Sequence, residues 1–327
     1  MASLTDSWEL EGITVPNRVL LAPLAGIGNW FVRLQAQRYG AGMAFSEMVS
    51  SHAIHHGNEK TITELLRLHP DEAIVSLQLF GQDPDVMRSA AAFVAQNTRA
   101  NVIDLNMGCP VPKVCKTGAG AALLKDPETA IAVTQAAREG SGLPVTVKIR
   151  SGSTKGDTSG FELAHRLVDE AGAAAITFHP RAATVHHKGV PDYDLAKELA
   201  ASLRAPMILT GGLRSPQEIQ RVFDHVQPAA VMLARGSLGN PWLFESVLGE
   251  RADAPERDEI LAELDWVMRS AVEHLGEDRG ARYLRKFYPW YLQLLGSDRT
   301  TQDALQRSES VVQARSILGI SQLSAVA

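Results

Sequence analysis

The order Asn106-Met107-Gly108-Cys109-Pro110 sets a thiol just past Val102, Ile103 and Leu105, an apolar run of strand length. Gly118 and Gly120 follow and let a ligand approach the backbone closely. A thiol so placed can give up a proton, attack as a thiolate, or serve as a small buried hydrophobe. Cys115, six residues on, lacks this setting and reads as structural. Lys148 interrupts the apolar run Val145–Ile149, where a charge is costly without a partner; a cation there can stabilise an anion developing on a bound group. Gln78 and His179 can hydrogen-bond the same planar group, or be satisfied core polar residues. Gly211-Gly212 and Ala234-Arg235-Gly236 combine free backbone N–H groups with one arginine and suit a phosphate, or form a tight turn and a surface ion pair. His52, His55 and His56, with His186 and His187, suggest a metal by number. Neither group has a cysteine or carboxylate at ligand spacing, so no metal is expected.

These residues share one kind of place. Apolar strand-length runs cover 18–23, 42–47, 74–80, the stretch from 102, then 145–149, 174–178, 206–210 and 229–234. Helical patterns lie between or after them, at 28–39, 84–97, 127–139, 160–171, 192–203, 215–225 and 240–249, with Asp83-Pro84 a strong helix start. Eight strands alternating with helices over about 250 residues predict an α/β fold of the (β/α)8 TIM-barrel type, with function at the C-terminal strand ends. Pro23 and Gly26, Ser46 and Glu47, Gln78, Asn106 and Cys109, Lys148 and Arg150, His179 and Arg181, Gly211-Gly212, and Arg235-Gly236 stand at those ends. A doubly wound open sheet fits less well, because Pro23-Leu24-Ala25-Gly26 is no dinucleotide glycine fingerprint. After residue 250 the strands stop. Segments 254–276, 279–295 and 301–318 carry helical periodicity, so the expected domains are a barrel, 1–250, and an all-helical C-terminal domain, 251–327.

Composition sets outer limits. The chain has 327 residues, 45% hydrophobic and 21% charged, in the range of globular proteins. No apolar run reaches the roughly 20 residues that cross a bilayer, and the first residues lack a signal-peptide pattern. Two cysteines on one loop argue against a disulfide scaffold and for a reducing cytoplasm. A net charge of −5 argues against coating nucleic acid by bulk charge but leaves room for a local basic face.

Six stretches in order resemble the tRNA-dihydrouridine synthases: 23–26 (PLAG), 46–49 (SEMV), 78–84 (QLFGQDP), 104–110 (DLNMGCP), 145–150 (VTVKIR) and 235–242 (RGSLGNPW). The resemblance runs over nearly the whole chain. It implies a barrel that holds FMN, with NADPH as electron donor and tRNA as partner, and a C-terminal helical domain that helps grip the tRNA. Carried over by position, Pro23, Leu24, Ala25, Gln78, Lys148, His179, Gly211, Gly212, Ala234 and Arg235 would hold FMN. Asn106 and Arg181 would contact the uracil, and Cys109 would give a proton to C5 after hydride reaches C6. Arg279, Arg282, Arg285 and Lys286, on one expected helix, would meet phosphates, with Tyr283, Phe287, Tyr288, Trp290 and Tyr291 either stacking or packing. Three places depart from the family pattern: Ile27-Gly28-Asn29, Thr210-Gly211-Gly212 and Pro180-Arg181-Ala182 stand where Val-Thr-Asp, Asn-Gly-Asp and Gly-Arg-Thr are common. The rivals are a dihydroorotate dehydrogenase-like flavoprotein acting on a small pyrimidine, and an RNA-binding barrel without catalysis. No metal, membrane or obligate protein partner is implied.

Overall fold

The computed structural model describes residues 2–320. Packing divides the chain into two compact units, the first running through Ala234 and the second beginning at Arg235.

The first unit is a closed barrel. Its strands are β1 (Val19–Leu21), β2 (Met43–Phe45), β3 (Val75–Phe80), β4 (Val102–Met107), β5 (Val145–Arg150), β6 (Ala175–His179), β7 (Met207–Thr210) and β8 (Ala230–Leu233). Each pairs in parallel with the next, and β8 returns to β1 through Val231↔Val19 and Leu233↔Leu21. The strands are near-continuous apolar runs because both faces are covered. Helices Pro84–Asn97, Pro127–Ser141, Tyr193–Ser202 and Pro216–Val226 begin where Asp83, Asp126, Asp192 and Ser215 accept a backbone N–H from the first turn. The expected alternation departs from regularity after β2, where a two-residue strand (Val49–Ser50), a five-residue helix (Ser51–His55) and a π turn (Thr61–Leu65) replace one long helix.

An N-terminal hairpin adds to the expected elements. Trp8–Leu10 pairs with Ile13–Val15 across Glu11-Gly12, both at positive φ (42° and 84°), the geometry of a two-residue turn. Trp8, Leu10 and Val15 join Leu20, Met43, Val102, Ala175, Ile208 and Ala230 in one core cluster, so the hairpin closes the end of the barrel where the strands begin. The other end carries the polar residues.

The second unit is all-helical: Trp242–Leu248, Arg257–Leu275, Glu277–Leu284, Tyr288–Leu294, Arg299–Arg307 and Val311–Leu318. Helix Arg257–Leu275 buries Ile260, Leu261, Leu264, Val267 and Met268, the stripe its periodicity announces. Two expected helices are each broken in two. Pro289 has no N–H for the preceding turn, and it sits at the start of a new helix rather than inside the expected 279–295. Within 301–318, Ser310 caps a new helix by accepting the N–H of Gln313. Among the described residues, no helix is long and apolar enough to cross a membrane.

Candidate active site

Strand register places three polar side chains in one row. Gln78 on β3 is opposite Asp104 on β4, which is opposite Thr146 on β5. All three are buried, and Asp104 is 0% exposed. Thr146 Oγ1 donates to Asp104 Oδ1 at 2.6 Å, and Gln78 Nε2 donates to Oδ2 at 2.6 Å. Burial nevertheless pushes the Asp104 carboxyl up to about 7, against the pull of those donors and of the Lys148 charge. The row continues outward. Asn106 Nδ2 donates to Gln78 Oε1 at 2.9 Å, and Asn106 Oδ1 accepts the backbone N–H groups of Gly108 (3.2 Å) and Cys109 (2.9 Å).

Asn106 thereby holds the loop that carries the thiol. Cys109 is free and half-buried. Burial pushes its thiol above the usual range, while Arg150 and Lys148 pull the other way with less effect. A thiol held this way keeps its proton at neutral pH. The Cys109 carbonyl accepts the N–H of Ala121 (3.0 Å) and the Cys115 thiol (3.3 Å), which gives Cys115 a structural task. A Cβ at Gly120 would lie 2.8 Å from that carbonyl, so only glycine allows the loop to close.

Lys148 pairs in register with Asn106 on one side and Thr177 on the other. Burial, then Arg150, lowers its ammonium to about 8. Its charge acts on Asp104, Cys109 and His179 alike, so it is the electrostatic centre of the site. Arg150 is 4% exposed and is a fastener: Nε donates to Gly108 O (2.9 Å), and Nη1 donates to His186 O (2.9 Å) and Ala182 O (3.3 Å).

His179 is buried at the end of β6. Burial and the nearby cations, Lys148 first, hold its imidazole well below its ordinary value, so it is neutral. Its ring packs on Gly211, where a Cβ would lie 2.4 Å from His179 Cδ2, and Gly211 has φ +105°. Tyr193 donates its hydroxyl to Gly211 O at 3.0 Å. Arg181 sets Nη1 3.4 Å from His179 Nε2 and gives Nη2 to Gly189 O at 2.6 Å. Pro23, Leu24 and Ala25 form the turn after β1; the N–H of Gly26, next in line, donates to Glu47 Oε2 at 2.8 Å. Ala234 follows β8 directly.

The structure thus joins Gln78, Asn106 and Cys109 in one hydrogen-bonded path, and sets Arg181 beside His179, whose ring packs on Gly211. Asp104 and Arg150 are the parts that sequence reasoning missed or placed without a task. The available signal for Asp104 was a carboxylate inside an apolar strand, two residues before Asn106 and therefore on its face.

In the second unit, Arg235 opens a 3₁₀ turn, Arg235–Ser237, and is exposed. Gly239, at φ +65°, lies where a Cβ would come within 2.5 Å of Trp290 Cβ, and Trp242 is buried with Nε1 donating to Glu259 Oε1 at 2.6 Å. The Gly-Asn-Pro-Trp stretch is therefore a packing joint within the helical unit. Arg279, Arg282 and Lys286 are exposed, and Lys286 Nζ lies 4.6 Å from the centre of the Tyr283 ring. Arg285 differs: it is half-buried, with Nη2 donating to Ser308 O (2.9 Å) and its carbonyl accepting from Gln306 Nε2 (2.8 Å). Phe287, Tyr288 and Tyr291 are core. Among the described residues, no group of three or more His, Cys, Asp or Glu side chains could hold a metal ion.

Residues 20–325 match the family model described as dihydrouridine synthase (Dus). The chain is similar to tRNA-dihydrouridine synthase B of Pasteurella multocida (strain Pm70), 35% identical over 289 residues, which is 85% of this chain and 84% of that protein. It is also similar to the protein of that name from Shewanella oneidensis, 34% identical over 284 residues and covering 84% and 86%. Among solved structures, morphinone reductase in complex with tetrahydroNAD has a TM-score of 0.56 at 17% identity, covering 80% of this chain and 94% of that one. A 2-naphthoyl-CoA reductase complex has a TM-score of 0.61 at 14% identity, covering 79% and 53%. These two likenesses bear on the fold alone.

Proposed function

The chain belongs to the dihydrouridine synthase family, and from that premise we propose that it reduces the C5=C6 bond of uridines in tRNA to dihydrouridine, using FMN and NADPH. The observation that carries the mechanism is the Asn106–Cys109 loop: a half-buried thiol, kept protonated by burial and held at a strand end by Asn106.

The residues at the mouth suit FMN. Two primary amides (Gln78 and Asn106) and a neutral imidazole (His179) offer hydrogen bonds to a heterocycle, the Lys148 ammonium offers charge to an anionic ring, and the Gly211-Gly212 turn, on which His179 and Tyr193 pack, would meet a phosphate through backbone N–H groups. In this assignment Pro23, Leu24, Ala25, Ala234 and Arg235 complete the cofactor's surroundings. When bound, the flavin supplies the hydride that uridine C6 receives.

The chain's own residues do the rest. Asn106 and Arg181 orient the uracil. Cys109 gives its thiol proton to C5, which quenches the enolate-like charge left by addition at C6, and the thiolate regains a proton from solvent. A base stacked in RNA cannot reach the mouth of a barrel, so the uridine is flipped out. Segment 251–327 grips the tRNA, with Arg279, Arg282 and Lys286 pairing with phosphates. The chemistry needs no metal and no protein partner, and its substrate places it in the cytoplasm.

The test is a map of dihydrouridine by position in tRNA from cells lacking the protein. Loss at one or more positions, restored by the intact gene, is expected. An unchanged map, together with activity of the purified protein on free orotate, would transfer the assignment to the small-pyrimidine reading.

A further inference from the structure

Asp104 is fully buried within β4 and plays no part in the chemistry above. Its two oxygens are both occupied, by Thr146 Oγ1 and Gln78 Nε2. We propose that Asp104 is a positioning residue whose carboxylate anchors the inner end of a hydrogen-bond chain running from the barrel interior to the Cys109 loop.

An ionised carboxylate only accepts. Gln78 must therefore turn Nε2 towards Asp104, which leaves Oε1 facing Asn106. Asn106 must in turn present Nδ2 to Gln78, which leaves Oδ1 facing outward. That oxygen accepts the N–H groups of Gly108 and Cys109. A flip of either amide would set oxygen against oxygen or N–H against N–H in a buried place, where an unmade hydrogen bond costs roughly 1–3 kcal/mol. Both ends hold this direction: the Gly108 and Cys109 N–H groups can only donate, and the ionised Asp104 carboxylate can only accept. Thr146 adds nothing to the direction, because its hydroxyl can rotate.

The test exchanges polarity without changing shape. Parent and variants all carry Thr146→Val, because the rotatable Thr146 hydroxyl could otherwise accept the new amide N–H; in Asp104→Asn that N–H is then left unpaired or set against Gln78 Nε2, and the inner end of the chain is broken. In Asp104→Asn with Gln78→Glu, donor and acceptor trade places. The introduced amide donates to one oxygen of the introduced carboxylate, whose other oxygen accepts from Asn106, and every bond is remade. The readout is the alkylation rate of Cys109 in full-length protein saturated with FMN, in a Cys115→Ser background that leaves Cys109 as the sole thiol. Measurement at pH 8.5 keeps Asp104 ionised, above the value of about 7 to which burial raises it.

The single variant should react about three- to tenfold faster than the parent, as the loop loses its anchor and the thiol its burial. The double variant should return to the parent rate. A single variant that fails to fold beside a double variant that folds and reacts like the parent would support the same conclusion. A single variant that reacts like the parent, a double variant no slower than the single one, or failure of both to fold would overturn it. The catalytic meaning of the chain rests on Cys109 as the acid, but the alkylation rate needs no turnover. Inability to make dihydrouridine would therefore sink that reading while leaving this inference standing, and the reverse holds too.

Discussion

The barrel mouth and the helical unit both carry cations, on opposite physical terms. Lys148 and Arg150 stand in the barrel mouth, and burial lowers both, to about 8 and about 10. Arg279, Arg282 and Lys286 are exposed side chains on a helix and the turn after it. A buried charge acts strongly on a few fixed neighbours, here Asp104, Cys109 and His179. An exposed charge acts weakly, over a Debye length, on whatever passes. Chemistry belongs with the first arrangement and a grip on a polyanion with the second.

The largest effect should come from the mouth. Cys109→Ala should lower dihydrouridine formation roughly 100- to 10,000-fold, the range of general acid catalysis, while FMN and tRNA still bind. Single-turnover product analysis beside equilibrium binding measures both. Turnover near the parent rate would remove the distinction between reacting and gripping regions.

Lys148→Met should weaken FMN binding about ten- to a hundredfold, as expected for a lost charged hydrogen-bond donor. The native protein should show its own pH signature. Lys148 is charged below about 8 and neutral above it, so affinity for the anionic cofactor should fall as pH rises through that value, by up to about tenfold per unit. The variant should lack this fall. Titrations by flavin fluorescence at pH 6 to 10 would show a shared slope if Lys148 is not the group.

The helical unit should give the smallest effects, and of two kinds. Arg279→Ala with Arg282→Ala should flatten the dependence of log K for tRNA on log salt by about 0.7–0.9 per cation, with a stability loss under about 1 kcal/mol. Arg285→Ala should instead cost about 1–2 kcal/mol of stability, because its guanidinium serves the Ser308 carbonyl. Thermal melts and salt titrations of the two variants should separate cleanly. Equal salt slopes for both would place Arg285 among the gripping cations.

Most of the barrel was legible in the sequence because each strand is an apolar run bounded by glycine or proline, and strand-end residues then follow from the fold. The roles inside the mouth were less so. The partners of Asp104 lie 26 and 42 residues away, and only strand register brings Gln78 and Thr146 to it. Arg150 was visible as a charge at a strand end, while the loop carbonyls it fastens have no side-chain signature. Two features had signals that went unread. Glu11-Gly12 between alternating apolar residues marks the hairpin, and Pro289 marks a new helix rather than the middle of one. The joint between Gly239 and Trp290 was beyond reach, since it depends on how the helices pack.

The central claim is that this mouth reduces uridine in tRNA. Its most direct test is to reduce the purified holoprotein without oxygen and mix it with tRNA from cells lacking the protein. The flavin should be reoxidised by the tRNA, with one dihydrouridine formed for each flavin oxidised. Reoxidation by free orotate and none by tRNA would contradict it.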